Sequence, residues 1–321
     1  MATTTLICGI SGQDGAYLAK LLLSRGHRVV GSSRDAQLGR FSNLVQLGIS
    51  DCVEFTSMTP NDFRSVVEVL TRFEPSEIYH LAGQSSVGLS FEQPVETMQS
   101  ISVSTINFLE AIRSVNKKIR YYNACSSECF GENGTVAANE STPFRPCSPY
   151  AVAKAAAFWS VVNYREAYDL FACSGILFNH ESPLRPERFV TRKIVRAACL
   201  IAAGSNERLK LGSLDVHRDW GWAPEYVDAM SRMLMQEVAQ DYVIATGVTH
   251  SLKDFVSEAF LALGLDWQDH VTFDPSLMRP NELRMSRADP SRVRLSLGWH
   301  AETDMPTVVR AMVAADQEAL R

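Results

Sequence analysis

A tyrosine and a lysine four residues apart have the chemistry of an acid/base pair. They lie in the segment 148–154, where Ser148 predicts a helix N-cap and Pro149 suits the first helical position. Residues four apart share a helix face. An ammonium beside a phenol lowers the phenol's pKa from its usual value of about 10. We therefore predict that Tyr150 exchanges a proton with a sugar hydroxyl and that Lys154 supports it and holds a nicotinamide ribose. Such a pair also arises by chance in many helices.

A hydroxyl and a carboxylate follow the predicted strand that precedes this helix. The strand ends in the segment 123–131, which contains Ser126 and Glu128. A parallel sheet would place both side chains at its carboxyl edge, facing the crevice where ligands bind. Taken singly, Glu128 also fits a solvated loop carboxylate and Ser126 a turn residue. Their order in the chain, between a glycine loop and the Tyr-Lys helix, favours an active site.

A glycine-rich turn lies directly between the first predicted strand and the first predicted helix. Its glycines, Gly9, Gly12 and Gly15, have the spacing G-x-x-G-x-x-G. In a strand-turn-helix unit, such glycines permit the tight turn, the approach of a pyrophosphate to the backbone and close helix packing. The residues predicted to bind a dinucleotide here are Gly9, Ser11, Gly12, Gln13, Asp14 and Gly15.

Arg34 follows the second predicted strand, where a site that prefers NAD usually offers a carboxylate to the ribose. A guanidinium suits a 2′-phosphate, so the sequence favours NADP. The alternative is that Arg34 is a solvated surface residue and that Asp35 accepts the ribose hydroxyl.

The elements that must position these residues alternate along the first half of the chain. Short apolar runs, such as 5–8, 28–30, 77–81, 119–122 and 172–177, are separated by amphipathic helical segments. This alternation predicts an α/β fold with a doubly wound parallel sheet and a smaller, interleaved C-terminal domain. We expect residues 1–178 plus about 219–258 to bind the cofactor, and about 179–218 plus 259–321 to bind the substrate. The strand at 242–246 is expected to rejoin the main sheet.

Composition excludes several other classes of protein. The chain has 321 residues, 46% of them hydrophobic, and a net charge of −5, which argues against nucleic acid and a membrane surface as partners. Its seven cysteines are scattered and contain no C-x-x-C pair, so we expect reduced thiols, no disulfide framework and no metal site. With no signal-peptide pattern and no long apolar run, a cytoplasmic location is expected.

The motifs taken together resemble the extended short-chain dehydrogenase/reductases, and among them the GDP-mannose 4,6-dehydratases. They span nearly the whole chain. The blocks that carry the resemblance are the glycine turn 9–18, Gly83-Gln84-Ser85-Ser86-Val87, the Ser-Ser-Glu strand end, the Tyr-Lys helix, 175–183 with Asn-His-Glu-Ser-Pro, 189–193, Arg218-Asp219-Trp220-Gly221 and Arg279-Pro280.

The resemblance implies a lyase with an internal redox cycle. Tyr150 would take the proton of the sugar 4-hydroxyl while hydride passes from C4 to NADP, and Ser126 would bond the C4 oxygen. Glu128 would take the C5 proton and help expel the C6 hydroxyl as water, before hydride returns to C6. A simple dehydrogenase or epimerase needs no such extra base.

The resemblance also implies binding residues. For the cofactor, the resemblance adds the following residues to Arg34 and the residues of the glycine turn: Leu81, Ala82, Gln84, Tyr150, Lys154, His180 and Arg185. For a GDP-sugar it implies Ser85, Ser126, Glu128, Asn179, Val190, Lys193, Arg218, Arg279 and Glu282, with Arg185 also facing the diphosphate. Arg188, Arg284 and Arg287 are expected to be solvated surface charges.

Some positions depart from the family pattern and leave alternatives open. Ser57-Met58 replaces an adenine-binding Asp, and Cys147, Pro186 and His217 replace Arg, Gly and Lys. The alternatives are a reductase, an epimerase or a 4,6-dehydratase of another GDP-sugar, and a catalytically silent NADPH-binding regulator. The resemblance further implies a homodimer through helices at 95–115 and 150–167, or a tetramer through 34–40.

Overall fold

The computed structural model describes residues 2–278 and 280–320. Its strands are β1 (Thr4–Cys8), β2 (Arg28–Ser33), β3 (Glu54–Ser57), β4 (Glu77–His80), β5 (Arg120–Ser126), β6 (Ala172–Leu177), β7 (Asn179–Glu181), β8 (Leu209–Leu211), β9 (His217–Arg218), β10 (Trp220–Trp222), β11 (Tyr242–Ile244), β12 (His250–Ser251) and β13 (Val271–Phe273). Its helices are α1 (Gln13–Ser24), α2 (Ser42–Gln46), α3 (Phe63–Phe73), α4 (Val87–Glu92), α5 (Pro94–Met98), α6 (Ser104–Val115), α7 (Pro149–Tyr168), α8 (Val190–Ala202), α9 (Ala223–Leu234), α10 (Leu252–Leu261), α11 (Ser291–Leu297) and α12 (Met305–Ala319).

One parallel sheet forms the centre of the molecule. Its seven strands lie in the order β11-β6-β5-β4-β1-β2-β3, which confirms the predicted doubly wound sheet. The strand that begins at Tyr242 rejoins the sheet, as expected, by pairing with β6. The strand order reverses between β1 and β4, and ligands bind at the carboxyl ends of the strands beside such a reversal. The predicted cofactor loop and catalytic strand end lie at this edge.

Helices cover both faces of the sheet because successive side chains of each strand point to opposite faces. In β1, Leu6 joins an apolar cluster with Phe108 of α6, whereas Ile7 joins another with Leu18 of α1. Burying large side chains on both faces supplies most of the energy that holds the helices in place. This packing on both faces fixes the position of the carboxyl edge of the sheet, which carries the polar residues of the predicted site.

A smaller lobe has its own apolar core. Ile194 of α8, Phe255 of α10 and Val309 of α12 belong to one fully buried cluster. The packing of α11 is different, since Val293 and Leu297 join the cluster on the main sheet. We therefore propose the expected two-part division with α10 assigned to the smaller lobe and α11 to the larger one. In the described part of the chain, no helix is long and apolar enough to cross a membrane.

Candidate active site

The glycine turn between β1 and α1 is packed too tightly for side chains. Gly9 has a φ of +95°, and a Cβ there would lie 2.8 Å from the backbone nitrogen of Ala82. A Cβ on Gly15 would lie 2.3 Å from the carbonyl oxygen of Gly9. Gly12 caps α1 without a side chain, so no cap covers the first N–H groups of the helix. These features fit the diphosphate of a dinucleotide, because they let it approach a positive helix end.

A buried ion pair joins the first turn of α1 to β7. His180 Nε2 lies 2.9 Å from Asp14 Oδ2, and Nδ1 lies 2.7 Å from the Phe178 carbonyl oxygen. Burial alone would raise the pKa of Asp14 and lower that of His180, but their mutual attraction outweighs it, so the pKa of Asp14 is lowered and that of His180 raised. Gln13 strengthens the junction by donating to the His180 carbonyl oxygen at 3.1 Å.

Arg34 and Asp35, which follow β2, have different surroundings. Arg34 faces solvent, whereas the carboxylate of Asp35 accepts hydrogen bonds from backbone N–H groups. Oδ1 of Asp35 accepts hydrogen bonds of 3.0 Å from the N–H groups of Gln37 and Leu38. Arg34 is exposed, and it does not line the cleft between the two lobes. The carboxylate of Asp35 is thus occupied by its own turn, whereas the guanidinium of Arg34 faces outward.

The Tyr-Lys helix forms as the sequence predicts. Ser148 caps α7 by accepting from Ala151 N–H at 3.1 Å, and Pro149 is its first residue. Tyr150 and Lys154 are both buried, and Lys154 Nζ lies 5.8 Å from the centroid of the Tyr150 ring. Lys154 donates a 2.6 Å hydrogen bond to the carbonyl oxygen of Ala124, which anchors it at the end of β5.

One prediction about this pair is wrong. The expected lowering of the Tyr150 pKa by Lys154 is not found: burial raises the pKa of the phenol, and a hydrogen bond with Ser126 opposes the rise without cancelling it. Burial also lowers the pKa of Lys154. The physical reason is that the cost of removing the charged phenolate or ammonium from water is larger than the stabilisation that the neighbouring groups provide.

Glu128 stands at the edge of the sheet, in a short 3₁₀ turn (Ser127–Phe130) that follows β5. Its N–H donates to Ser126 Oγ at 3.3 Å, so the turn links the hydroxyl and the carboxylate. Its side chain is half-buried and lines the same cleft as Tyr150 and Ser126. Within residues 2–278 and 280–320, its carboxylate has no ion-pair partner, which leaves it available to act as a base.

A cleft of about 400 Å³ runs between the two lobes. The predicted site residues that line it are Asp14, Leu81, Ser85, Ser126, Glu128, Tyr150, Lys154, Asn179, His180, Arg185, Val190, Lys193, Arg218 and Glu282. Those that do not line it are Gly9, Ser11, Gly12, Gln13, Gly15, Arg34, Ala82 and Gln84. The amide of Gln84 is turned into its own loop, where Nε2 donates to the Ser86 carbonyl oxygen at 2.8 Å. Arg279 lies outside the described residues.

Cations gather at the end of the cleft formed by the smaller lobe. Arg218 is buried, and its Nη2 lies 3.4 Å from Glu282 Oε1. Lys193 Nζ donates to the carbonyl oxygen of Lys210 at 2.8 Å, which brings a second lysine to the same wall. In a protein of net negative charge, such a local cluster supplies the attraction that a diphosphate requires.

One cation of the cleft was not predicted from the sequence. Arg188, expected to be a solvated surface charge, lines the cleft together with Phe189 and Lys210. The only signal for Arg188 was its place in the loop between β7 and α8, both of which carry predicted substrate residues. In the part of the chain that the structure describes, no group of three or more His, Cys, Asp or Glu residues is placed to hold a metal ion.

The parallel sheet, the glycine turn and the Ser-Glu and Tyr-Lys elements facing one cleft define an extended short-chain dehydrogenase/reductase. The family model "GDP-mannose 4,6 dehydratase" matches residues 6–312. The chain is 41% identical to GDP-mannose 4,6 dehydratase 2 of Caenorhabditis elegans, over 97% of this chain and 88% of that protein. It is 43% identical to GDP-mannose 4,6-dehydratase of Sinorhizobium fredii, over 98% and 97% of the two chains. The chain therefore belongs to the GDP-mannose 4,6-dehydratase family.

Several solved structures have a similar fold. The UDP-glucose 4-epimerase of Thermus thermophilus in complex with NAD has a TM-score of 0.87 at 24% identity, with 99% of this chain and 100% of that chain covered. RMD from Pseudomonas aeruginosa, complexed with NADPH, has a TM-score of 0.82 at 20% identity, with 99% of each chain covered. At these identities, the likeness concerns the fold.

Proposed function

We propose that the protein dehydrates GDP-mannose to GDP-4-keto-6-deoxymannose. The observation that carries the proposal is that the carboxylate of Glu128 lines the same cleft as Ser126 and Tyr150. Oxidation or epimerisation at C4 needs an acid/base group and a hydroxyl donor, whereas loss of water across C5 and C6 needs a further base. The membership of the chain in its family and the cations for a diphosphate support the same substrate.

Each residue of the site has a separate role in this reaction. Tyr150 takes the proton of the sugar 4-hydroxyl, and Ser126 bonds the oxygen that becomes the ketone. A bound nicotinamide supplies the chemistry of hydride acceptance from C4 and return to C6. Glu128 removes the C5 proton, which the 4-ketone acidifies, and delivers a proton to the departing C6 hydroxyl. The proton held by Tyr150 passes to C5 when hydride reaches C6, so that the net change is the loss of one water. Lys154, anchored on Ala124, orients the cofactor's ribose beside Tyr150.

Incubation with GDP-mannose and a catalytic amount of NADP tests the proposal. The expected product is lighter than GDP-mannose by one water, and reduced cofactor does not accumulate over many turnovers. Mass spectrometry of the nucleotide sugar and absorbance of the reduced nicotinamide measure the two quantities. A product of unchanged mass indicates an epimerase, accumulation of NADPH in step with product indicates a net oxidoreductase, and intact substrate indicates a silent regulator. Each of these three results contradicts the proposal.

We further infer that the nicotinamide cofactor is NADP. The support is the exposed guanidinium of Arg34 and the engagement of Asp35 with its own turn. The Arg34→Ala variant is expected to bind NADPH roughly tenfold more weakly, because it loses a charge-assisted contact to the 2′-phosphate. Its affinity for NADH should change little. Fluorescence titration with both cofactors measures the ratio.

The matched variant for this experiment is Asp35→Ala. If Arg34 selects the cofactor, loss of the Asp35 carboxylate leaves the preference for NADPH in place. A loss of NADH affinity in Asp35→Ala, with equal small effects of Arg34→Ala on both cofactors, would show that Asp35 binds the ribose and would reverse the assignment.

We also propose a homodimer or homotetramer. Large apolar side chains are exposed on α6 and α7, among them Ile106 at 42% and Trp159 at 58%. Pairing these helices with those of a second copy would bury them, and Leu38, 83% exposed in the loop after β2, would support a tetramer. Light scattering that returns the mass of one chain would contradict the proposal. The cytoplasmic location stays a prediction.

A further inference from the structure

Arg188 connects the two lobes across the mouth of the cleft. Its Nη2 donates a 3.1 Å hydrogen bond to Ser85 Oγ. Ser85 belongs to the loop after β4, whereas Arg188 belongs to the loop that leads from β7 into α8. Both side chains are exposed and both line the cleft. The bond is therefore a bridge at the opening rather than part of either core.

The guanidinium of Arg188 also contacts the aromatic ring of Phe189. Two guanidinium groups lie near the ring of Phe189, with Arg185 Cζ 3.7 Å and Arg188 Cζ 5.2 Å from its centroid. Arg185 is held in turn by an ion pair, its Nε lying 3.1 Å from Oε2 of the buried Glu181. Attraction between a guanidinium and an aromatic ring favours the side-chain directions that keep Arg188 near Phe189.

The bridge lies at the end of the cleft where the sugar ring must react. The loop that carries Ser85 follows β4, and β4 is the direct neighbour of β5, which ends in Ser126 and leads into Glu128. A hexose placed against these groups therefore lies beside the bridge. An arginine has five N–H donors, and the bond to Ser85 uses one of them. Because Arg188 lines the cleft, its other N–H groups can serve as donors to the hydroxyl groups of a sugar.

We propose that Arg188 is a specificity-determining residue, which closes the cleft over the hexose by bridging to Ser85. This proposal rests on the proposed function and deepens it. Arg188 bonds hydroxyl groups on one edge of the sugar while Ser85 holds its side chain in place. Arg185, Arg218 and Lys193 are left to hold the diphosphate. Recognition of the hexose and recognition of the nucleotide are thereby assigned to different residues.

Binding of two ligands to the Arg188→Ala variant separates these roles. Calorimetry with GDP-mannose should show affinity reduced about tenfold, the loss of roughly one charge-assisted hydrogen bond. Affinity for GDP, which has no hexose, should stay within about twofold of the wild-type value. In turnover, KM for GDP-mannose should rise while kcat changes little. The discrimination between GDP-mannose and its C2 epimer, GDP-glucose, should fall.

Further variants test the bridge itself. Ser85→Ala should weaken GDP-mannose binding less than Arg188→Ala, and the double variant should be no worse than Arg188→Ala alone, since both changes break one contact. Arg188→Lys should recover only part of the loss, because an ammonium lacks the forked geometry. Arg294→Ala, which removes an exposed arginine of α11, is the matched control and should behave as wild type.

The outcomes distinguish failure of this inference from failure of the proposed function. If wild-type protein binds GDP-mannose but gives no product, the proposed function fails and the binding comparison still applies. Equal losses for GDP and GDP-mannose would make Arg188 part of the diphosphate site and overturn the inference. Additive effects of the Ser85 and Arg188 substitutions would show that the bridge is absent from the complex, which also overturns it.

Discussion

The Glu128→Gln variant is expected to lose water elimination while it keeps its fold and its cofactor. The substitution preserves the shape of the side chain and the 3.3 Å hydrogen bond from the residue's N–H to Ser126, but the amide cannot accept the C5 proton. General acid/base groups contribute about 10²–10⁴ in rate, and a fall in kcat of this size is expected. Mass spectrometry of the product gives the rate of water loss.

The variant should stop at a defined point of the cycle. Tyr150 and Ser126 still support oxidation at C4, so one equivalent of bound reduced nicotinamide should accumulate after mixing with GDP-mannose. Glu237→Gln changes an exposed glutamate outside the cleft and is the matched control. Full turnover by Glu128→Gln would exclude the assigned role. So would failure to oxidise C4 with binding intact, since it would place Glu128 in the first step.

Elements set by local sequence could be predicted. The cap at Ser148 and the glycine turn depend on residues within one turn of each other, so their spacing alone specifies the geometry. The parallel sheet follows from the alternation of apolar runs and helical segments, and it places Ser126, Glu128 and the Tyr-Lys helix at one edge. For this reason, most of the predicted site residues line one cleft.

What could not be predicted depends on contacts between distant segments. Ser85 and Arg188 are 103 positions apart, and no periodicity relates two loops that meet only after the lobes have packed. The pKa of Tyr150 is a balance between burial and neighbouring charges, and the sequence shows the neighbour without the burial. Likewise, the apolar residues of α11 could pack on either lobe, and only the tertiary structure shows that they pack on the main sheet.

The Tyr150→Phe variant is expected to lower kcat by about 10²–10⁴, because the phenol is the only group assigned to take the 4-hydroxyl proton. Phenylalanine fills the same buried space, so the fold should persist. The pH profile provides a second measurement. Burial raises the pKa of Tyr150, so its phenolate is the minor form near neutral pH and grows as the pH rises. The kcat/KM of the wild type should therefore increase with pH, whereas the residual activity of the variant should not follow that increase.

Tyr168→Phe is the matched control, because Tyr168 lies on the same helix, α7, with 38% of its surface exposed. It should retain both the wild-type rate and the wild-type pH profile. In Tyr150→Phe, oxidation at C4 is the step that fails, so reduced nicotinamide should not accumulate, in contrast to Glu128→Gln. Accumulation in both variants would mean that another group takes the hydroxyl proton, since a phenyl ring cannot. The order of the two proton transfers can thus be established from the point at which each variant stops.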